Sequence, residues 1–471
     1  MSTELQYAGE YEVQRLEIQS STGESVDLRK TYVEINLFEG IFSNALSGSI
    51  ILADTNDIVT SLPIIGQEFV NMKLRMPSDE DISIDMVFSV YKVGFKREVT
   101  KGGVLIELSL VTPETIKNNR VRVSKSYTDT IDRIVGSVLE DETYINTTKN
   151  RYIEKTQGIR RIVSPNYHPY ELIKCLSTEA KSQITGNPFY LFFETIEGLH
   201  FRSLESLYNQ DSVGDFNTAD IDTFTTNLRS ASGTGVTYNL ENSIKRTLSH
   251  GMNSYNDMLA NVKSGMLGSK LIRYDIFNKT YETKTFKYFD DFDKFSESKI
   301  DENPIYNEVS IDRQDNSVGD FPDARIHLQT GFTSSDTSHY NTKTSEYGFT
   351  GSGIEDTLLY RQAKFAELTS GSSASISVHG NLKLNAGKII NFDMPTTHKD
   401  DDGKSVDKFY RGRFLITTLR HSFQVGNKSE TSLNLVKDSL AESFDKIRNS
   451  PEPEIQGREI SVGQFGATDS F

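Results

Sequence analysis

Alternating apolar residues in the first hundred positions, a switch to helical spacing behind Pro113, and three short blocks that recur later in the chain predict a β-rich multidomain α+β protein. The expected architecture is two similar antiparallel β-barrel domains, a small α/β domain and an inserted domain. At 471 residues the chain is longer than the ~250–300 residues at which one core stops growing. Several cores are required.

The first β-domain, residues 1–112, rests on the alternation Val33-Glu34-Ile35-Asn36-Leu37 and on the runs Ile50–Leu52 and Val104–Val111. The small α/β domain follows at 113–210. Ile131, Ile134, Val135, Val138 and Leu139 recur at helical spacing, as do Leu172, Ile173, Leu176 and Ala180 behind Pro169. Cys175, the single cysteine, falls inside that second pattern and reads as a buried, reduced thiol. Phe189–Phe193, a turn at Glu197-Gly198 and Leu199–Phe201 form a hairpin. The short basic run Lys117–Lys125 has the spacing of one solvated strand face.

Residues 207–243 are rich in Asp, Asn, Thr, Ser and Gly and predict a long surface connection. Beyond it the second β-domain is expected to be discontinuous, at 211–280 and 366–440, around an inserted domain at 281–365. Within the insertion, Ser352-Gly-Ile-Glu355 has the form of a capping box ahead of Leu358, Leu359, Phe365 and Leu368. Residues 441–471 have the composition of a flexible arm.

The repeat defines that division. Gly48–Asp54 is echoed by Gly268–Asp275, each a strand ending at an aspartate turn. Val70-Asn71-Met72 running to Pro77 is echoed by Ile390-Asn391-Phe392 running to Pro395. Phe88, Val90 and Val93 followed by Leu108 and Leu110 are echoed by Phe414, Ile416 and Leu419 followed by Leu433 and Leu435, the same hairpin twice. The candidate assembly residues are therefore Gly48, Asp54, Asn71, Phe88 and Leu108, with Gly268, Asp275, Asn391, Phe414 and Leu433.

Composition narrows the function. Acidic residues exceed basic ones by 66 − 51 = 15, so the surface field repels phosphate rather than holding nucleic acid. No run reaches the ~18 apolar residues of a membrane helix, and the N-terminus lacks a signal-peptide layout, so membrane insertion is not expected. There is no HExxH, GxSxG, Walker loop or paired-cysteine site, so no catalytic, cofactor-binding or metal residue is assigned and no enzyme is expected. Gly233-Thr234-Gly235 follows a polar loop rather than a strand and reads as a joint. Asp400, Asp402, Gly403 and Asp407 lack the distal glutamate of a calcium loop and read as a hairpin tip. His168 sits where a helix cap belongs, and Asp290, Asp291 and Asp293 read as a solvated turn. The competing reading is a peripheral glycan- or receptor-binding protein that uses exposed aromatics among its 27 Phe and 21 Tyr. The absence of Trp argues against it.

The segment YELIKCLSTEAKSQITGNPFYLFFETIEGLHFRSL at Tyr170–Leu204 and the closing segment His379–Val436, with HGNLKLNAGKIINF and FLITTLRHSF, resemble the central baseplate hub of contractile-tailed phages. That family is related to the hub region of type VI secretion spike proteins, and the resemblance covers most of residues 30–440. It implies two tube domains per subunit and a homotrimeric ring that adapts a sixfold tail tube to a threefold spike and lines the DNA exit channel. Implied partners are the spike or tail-lysozyme protein, the tail tube or tube-initiator protein, the tape-measure protein and the baseplate wedge, with DNA only in transit. The implied location is the centre of the virion's tail baseplate, after assembly in the host cytoplasm. The larger insertion and the tail after Leu440 depart from the shorter members of the family.

Overall fold

The N-terminal alternation becomes β1 (Glu12–Gln19), β2 (Ser25–Asp27), β3 (Tyr32–Gly40), β4 (Ser47–Asp54), β5 (Phe69–Arg75), β6 (Ser83–Thr100) and β7 (Gly103–Val111). The computed structural model describes residues 8–20, 23–54, 64–76, 83–100, 103–217, 245–254, 257–275, 279–292, 299–311, 313–330, 357–394, 407 and 411–443. All seven strands join one sheet, and their inward residues Ile35, Leu37, Ile50, Leu52, Val70, Met72, Phe88, Val90, Leu108 and Leu110 share one core. Period-two alternation puts these residues on one face, and burying that face holds the register.

Pro113, suited to the first helical turn, then opens α1 (Pro113–Arg120). The basic run from Lys117 is thus a helix end followed by the bridge Val123–Tyr167, not one strand face. The α/β unit continues through β8 (Ser126–Thr130), α2 (Ile131–Glu140), β9 (Arg151–Ile153), β10 (Ile159–Val163), α3 (Pro169–Glu179), β11 (Tyr190–Thr195), β12 (Gly198–Ser203) and α4 (Leu204–Tyr208). The apolar stripes of α2 and α3 close over the β11–β12 hairpin in a core of their own. Cys175 is exposed, contrary to the sequence reading. At about 100° per residue, the buried stripe of Pro169, Leu172, Ile173 and Leu176 occupies one side of α3, and Cys175 falls off its edge. His168 caps this helix: Glu171 accepts from its backbone N–H, and its Nδ1 lies 2.9 Å from the Val121 carbonyl.

The chain returns to the large sheet with β13 (Ser212–Asn217) and β14 (Thr247–Ser254), then leaves it. Next come α5 (Met258–Ser264), β15 (Gly268–Asp275), β16 (Thr280–Lys287), α6 (Tyr288–Phe292), β17 (Asn303–Pro304), β18 (Ile326–Thr330) and α7 (Leu358–Ser370). The order β16-β15-β18 makes a separate three-stranded sheet, covered on one face by α7 through Leu271, Phe286, Leu359, Tyr360 and Ala363. Strand β15, expected in the second large β-unit, therefore belongs to this inserted body. Asp290 and Asp291 lie on α6, and Asp291 accepts from the Lys287 backbone N–H.

The second β-unit is completed by β19 (Ser372–His379), β20 (Ile389–Asp393), β21 (Gly412–Gln424) and β22 (Lys428–Lys437), and β23 (Ser439–Leu440) pairs with β17. The Gly233–Gly235 joint, Pro77, Pro395, Asp293, Asp400, Asp402, Gly403, the Ser352–Glu355 box and the arm beyond 443 lie outside the described residues.

Candidate functional site: the seam joining two equivalent half-sheets

The thirteen-stranded sheet consists of two halves with one topology. In the first half the strands run β3-β4-β7-β6-β5-β1; in the second they run β14-β19-β22-β21-β20-β13. Each strand of one half has its counterpart at the same place in the other. The outermost pair differs in direction, since β1 runs antiparallel to β5 whereas β13 runs parallel to β20.

Equivalence extends to single residues. Val70 lies opposite Phe88 in the first half, and Ile390 lies opposite Phe414 in the second. Val90 faces Leu110 and Val93 faces Leu108; correspondingly Ile416 faces Leu435 and Leu419 faces Leu433. A β-bulge follows Val90 in β6, and another follows Ile416 at the same step of β21. A second pair of bulges, between Tyr32 and Glu34 and between Thr247 and Ser249, falls at one step of β3 and β14. Even the entry bond repeats: Val90 N–H donates to the Glu68 carbonyl at 2.8 Å, and Ile416 N–H to that of Lys388 at 2.9 Å.

These registers place the sequence-derived residues. Asn71 and Asn391, Phe88 and Phe414, and Leu108 and Leu433 occupy equivalent positions, with all four Phe and Leu side chains buried. Gly48 and Asp54 lie on β4, whereas Gly268 and Asp275 lie on β15, outside the large sheet. The structural counterpart of β4 is β19, because Gly48 and Ile50 face Leu110 and Leu108 as Ala374 and Ile376 face Leu435 and Leu433. A signal was present: Ser47-Gly-Ser-Ile-Ile-Leu52 matches Ser373-Ala-Ser-Ile-Ser-Val378. In sequence, β15 resembles β4 more in its glycine and aspartate ends, Gly268 and Asp275 against Gly48 and Asp54.

The halves meet where β21 outruns β20. Residues Leu415–Ile389 and Phe414–Ile390 pair within the second half; from Thr418 to Gln424 the same edge of β21 pairs with β3, Thr418 opposite Gly40 and Gln424 opposite Glu34. Side chains clasp this seam on its polar face. Arg420 donates to Asn36 Oδ1 at 2.8 Å and to Glu34 Oε1 at 2.7 Å, and the Ser422 hydroxyl donates to the same Glu34 oxygen. That face carries a concavity of about 470 Å³ lined by Phe38, His250, Ser377, Thr418, Arg420 and Asn434.

Buried carboxylates tie the seam to the α/β unit. Glu39, at the end of β3, accepts from the Ile196 N–H at 2.7 Å and the Ala386 N–H at 2.9 Å, and burial pushes its carboxyl up to about 8. Glu194, fully buried on β11, accepts from the Leu46 N–H, the Thr112 hydroxyl and Lys149 Nζ at 2.9, 2.8 and 2.6 Å. Burial raises its pKa, and Lys149 opposes the shift. On the far side, Lys364 of α7 bridges Glu367 and Asp438 at 2.7 and 3.0 Å, which fastens the inserted body to the end of β22. Nothing in the local sequence flags Glu39 and Glu194, since their partners are more than a hundred positions away or sit in loops; Lys364 and Glu367 are an i,i+3 pair on one helix, and only Asp438 joins them from a distance. Among the described residues, no group of three His, Cys, Asp or Glu side chains is placed to hold a metal ion.

No protein-family profile matches the chain, and no curated protein matches it. Among solved structures it is similar to a tail protein from Neisseria meningitidis, at 8% identity over 92% of this chain and 99% of that one, TM-score 0.48. It is also similar to the 43 kDa tail protein of prophage MuSo2 from Shewanella oneidensis, at 8% identity over 91% and 100% of the two chains, TM-score 0.48. A third is an Escherichia coli component of the type VI secretion system, at 10% identity over 91% and 77%, TM-score 0.41.

Proposed function

We propose that this chain is a structural subunit of a phage-type contractile injection machine, the central baseplate hub that joins the tail tube to the cell-puncturing spike. The observation that carries the reading is the tandem of two half-sheets with one strand order and coincident bulges, joined edge to edge through β3 and β21. A heterologous contact of this kind, repeated between copies, closes a ring or runs on as a filament. Three copies in a ring present six near-equivalent halves to a sixfold tube and keep a threefold end for the spike. The resemblance of Tyr170–Leu204 and His379–Val436 to the hub family supports the same number. The acidic balance suits a channel wall past which DNA moves without being held. The role is one of assembly, not catalysis.

Light scattering at physiological salt, with the chain alone and with its spike, tests this. Three chain masses in either condition are expected. A single chain mass in both, with the spike folded, overturns the hub reading and favours the glycan-binding one.

A further inference from the structure

Three charged side chains meet where α7 packs against the end of β22, and their charges do not cancel. Lys364 Nζ lies 2.7 Å from Glu367 Oε2 and 3.0 Å from Asp438 Oδ2, and the three side chains are 9%, 3% and 0% exposed. One ammonium against two carboxylates leaves an excess negative charge in the interior, where an uncompensated charge is costly. The two carboxylates are not equally placed. Asp438 accepts from Lys364, from the Ile300 N–H at 3.0 Å and from the Ser439 hydroxyl at 2.7 Å. Among the described residues Glu367 accepts only from Lys364, and its buried Oε1 has no partner.

We propose that a proton on Glu367 Oε1 latches the inserted body to the second half-sheet, and that the latch loosens when this proton leaves. The proton cancels the excess charge and turns Oε1 into a donor. Glu367 lines a cavity of about 20 Å³, room for a single water, together with Met266, Phe286, Tyr288, Tyr360 and Lys364. An acceptor for that donor therefore fits beside it. The ionisable groups around Glu367 are Lys364 and Tyr360 of α7, Tyr208 of α4, Tyr288 of α6 and Asp438. Burial holds Tyr208 and Tyr288 as neutral phenols; at Lys364 burial is outweighed by Glu367 and Asp438, which keep the ammonium charged. Asp291 and Lys299 also line the cavity, and Lys437, next to Asp438, is matched by Asp301 at 2.9 Å.

The joint that this triad holds is made of contacts between distant parts of the chain. Besides the Ile300 bond to Asp438, the Asp301 N–H donates to the Ser439 hydroxyl at 2.7 Å, β17 pairs with β23, and Arg413 of β21 donates to the Ile300 carbonyl at 3.3 Å. Loss of the proton sets two carboxylates against each other around one ammonium. Drawing Asp438 away from α7 relieves that repulsion and takes the Ile300 bond with it. Burial pushes the Glu367 carboxyl up to about 7, against the pull of Lys364. The closed joint thus holds the proton more tightly than an open one, so the latch is at full strength below pH about 4.5 and is lost as the pH rises through about 7.

Amide hydrogen exchange of the full-length chain, read by mass at fixed concentration and corrected for the intrinsic effect of pH, tests the latch. Between pH 6 and 8 the opening of peptides that contain Ile300–Ile305 and Ser439–Leu440 is expected to rise about tenfold relative to peptides within β22. Glu367→Gln puts a neutral amide where the protonated carboxyl stood and is expected to reduce that rise to about twofold or less. The peptide containing Ile196, which reports on Glu39, should keep its own pH dependence in this variant. Asp438→Asn, which leaves Lys364 and Glu367 as a matched pair, is expected to move the transition to lower pH. Equal protection of the joint at pH 6 and 8 in the natural chain overturns the latch, and so does a tenfold rise that survives in Glu367→Gln or a transition that Asp438→Asn leaves in place.

Discussion

The backbone N–H of Ile196 donates to the carboxylate of Glu39 at 2.7 Å, joining the tip of the β11–β12 hairpin to the end of β3 across 157 positions of sequence. The other oxygen of Glu39 takes the Ala386 N–H from the second half, so one side chain holds three parts of the fold together.

Burial raises the Glu39 carboxyl from 4.5 to about 8. The folded state therefore holds the proton more tightly than the unfolded chain. This group's stabilisation is fully present below pH about 4.5 and is lost as the pH rises through about 8. Urea denaturation between pH 5 and 8.5 should show a fall in stability with pH that Glu39→Gln flattens. Glu39→Ala, which leaves two buried donors without an acceptor, should cost about 2–4 kcal/mol at pH 6.

Lys149 is the cation between Glu114 and Glu194, whose side chains are 12% and 0% exposed. Removing it as Lys149→Met leaves two carboxylates facing each other in the interior. A loss of about 3–5 kcal/mol in denaturant titration is expected. Most of it should return in the double variant with Glu194→Gln, which removes the fully buried carboxylate and leaves only that of Glu114, 12% exposed, without its cation.

Gly198 closes the same hairpin at φ +147°, and a Cβ there would lie 2.3 Å from the Asn150 carbonyl oxygen. Both the backbone conformation and the contact exclude a side chain. Gly198→Ala should lower stability by about 3 kcal/mol or more and displace the Ile196–Glu39 bond, which the loss of protection at the Ile196 amide would report.

Cys175 is exposed on α3 and should react with a maleimide in the native protein at the same stoichiometry as in denaturant. Cys175→Ser should change stability by no more than about 0.5 kcal/mol, since the residue lies off the packed stripe.

What the residues alone determined is local. Period-two alternation marked the strands, the spacing of Ile131, Ile134 and Val138 marked a helix, and the hairpins at Phe88–Leu110 and Phe414–Leu435 were legible as repeats because a hairpin is specified by its own neighbours. Tertiary structure decided what crosses long separations. Alternation is common to every half-buried strand, so it cannot say that β22 takes β19 rather than β15, or that β3 takes the overhang of β21. Those choices come from which apolar faces close over one core and which edges are left free. The same holds for Glu39 and Glu194, ordinary acidic residues in the sequence, whose roles exist only once distant backbone donors are brought to them and water is excluded.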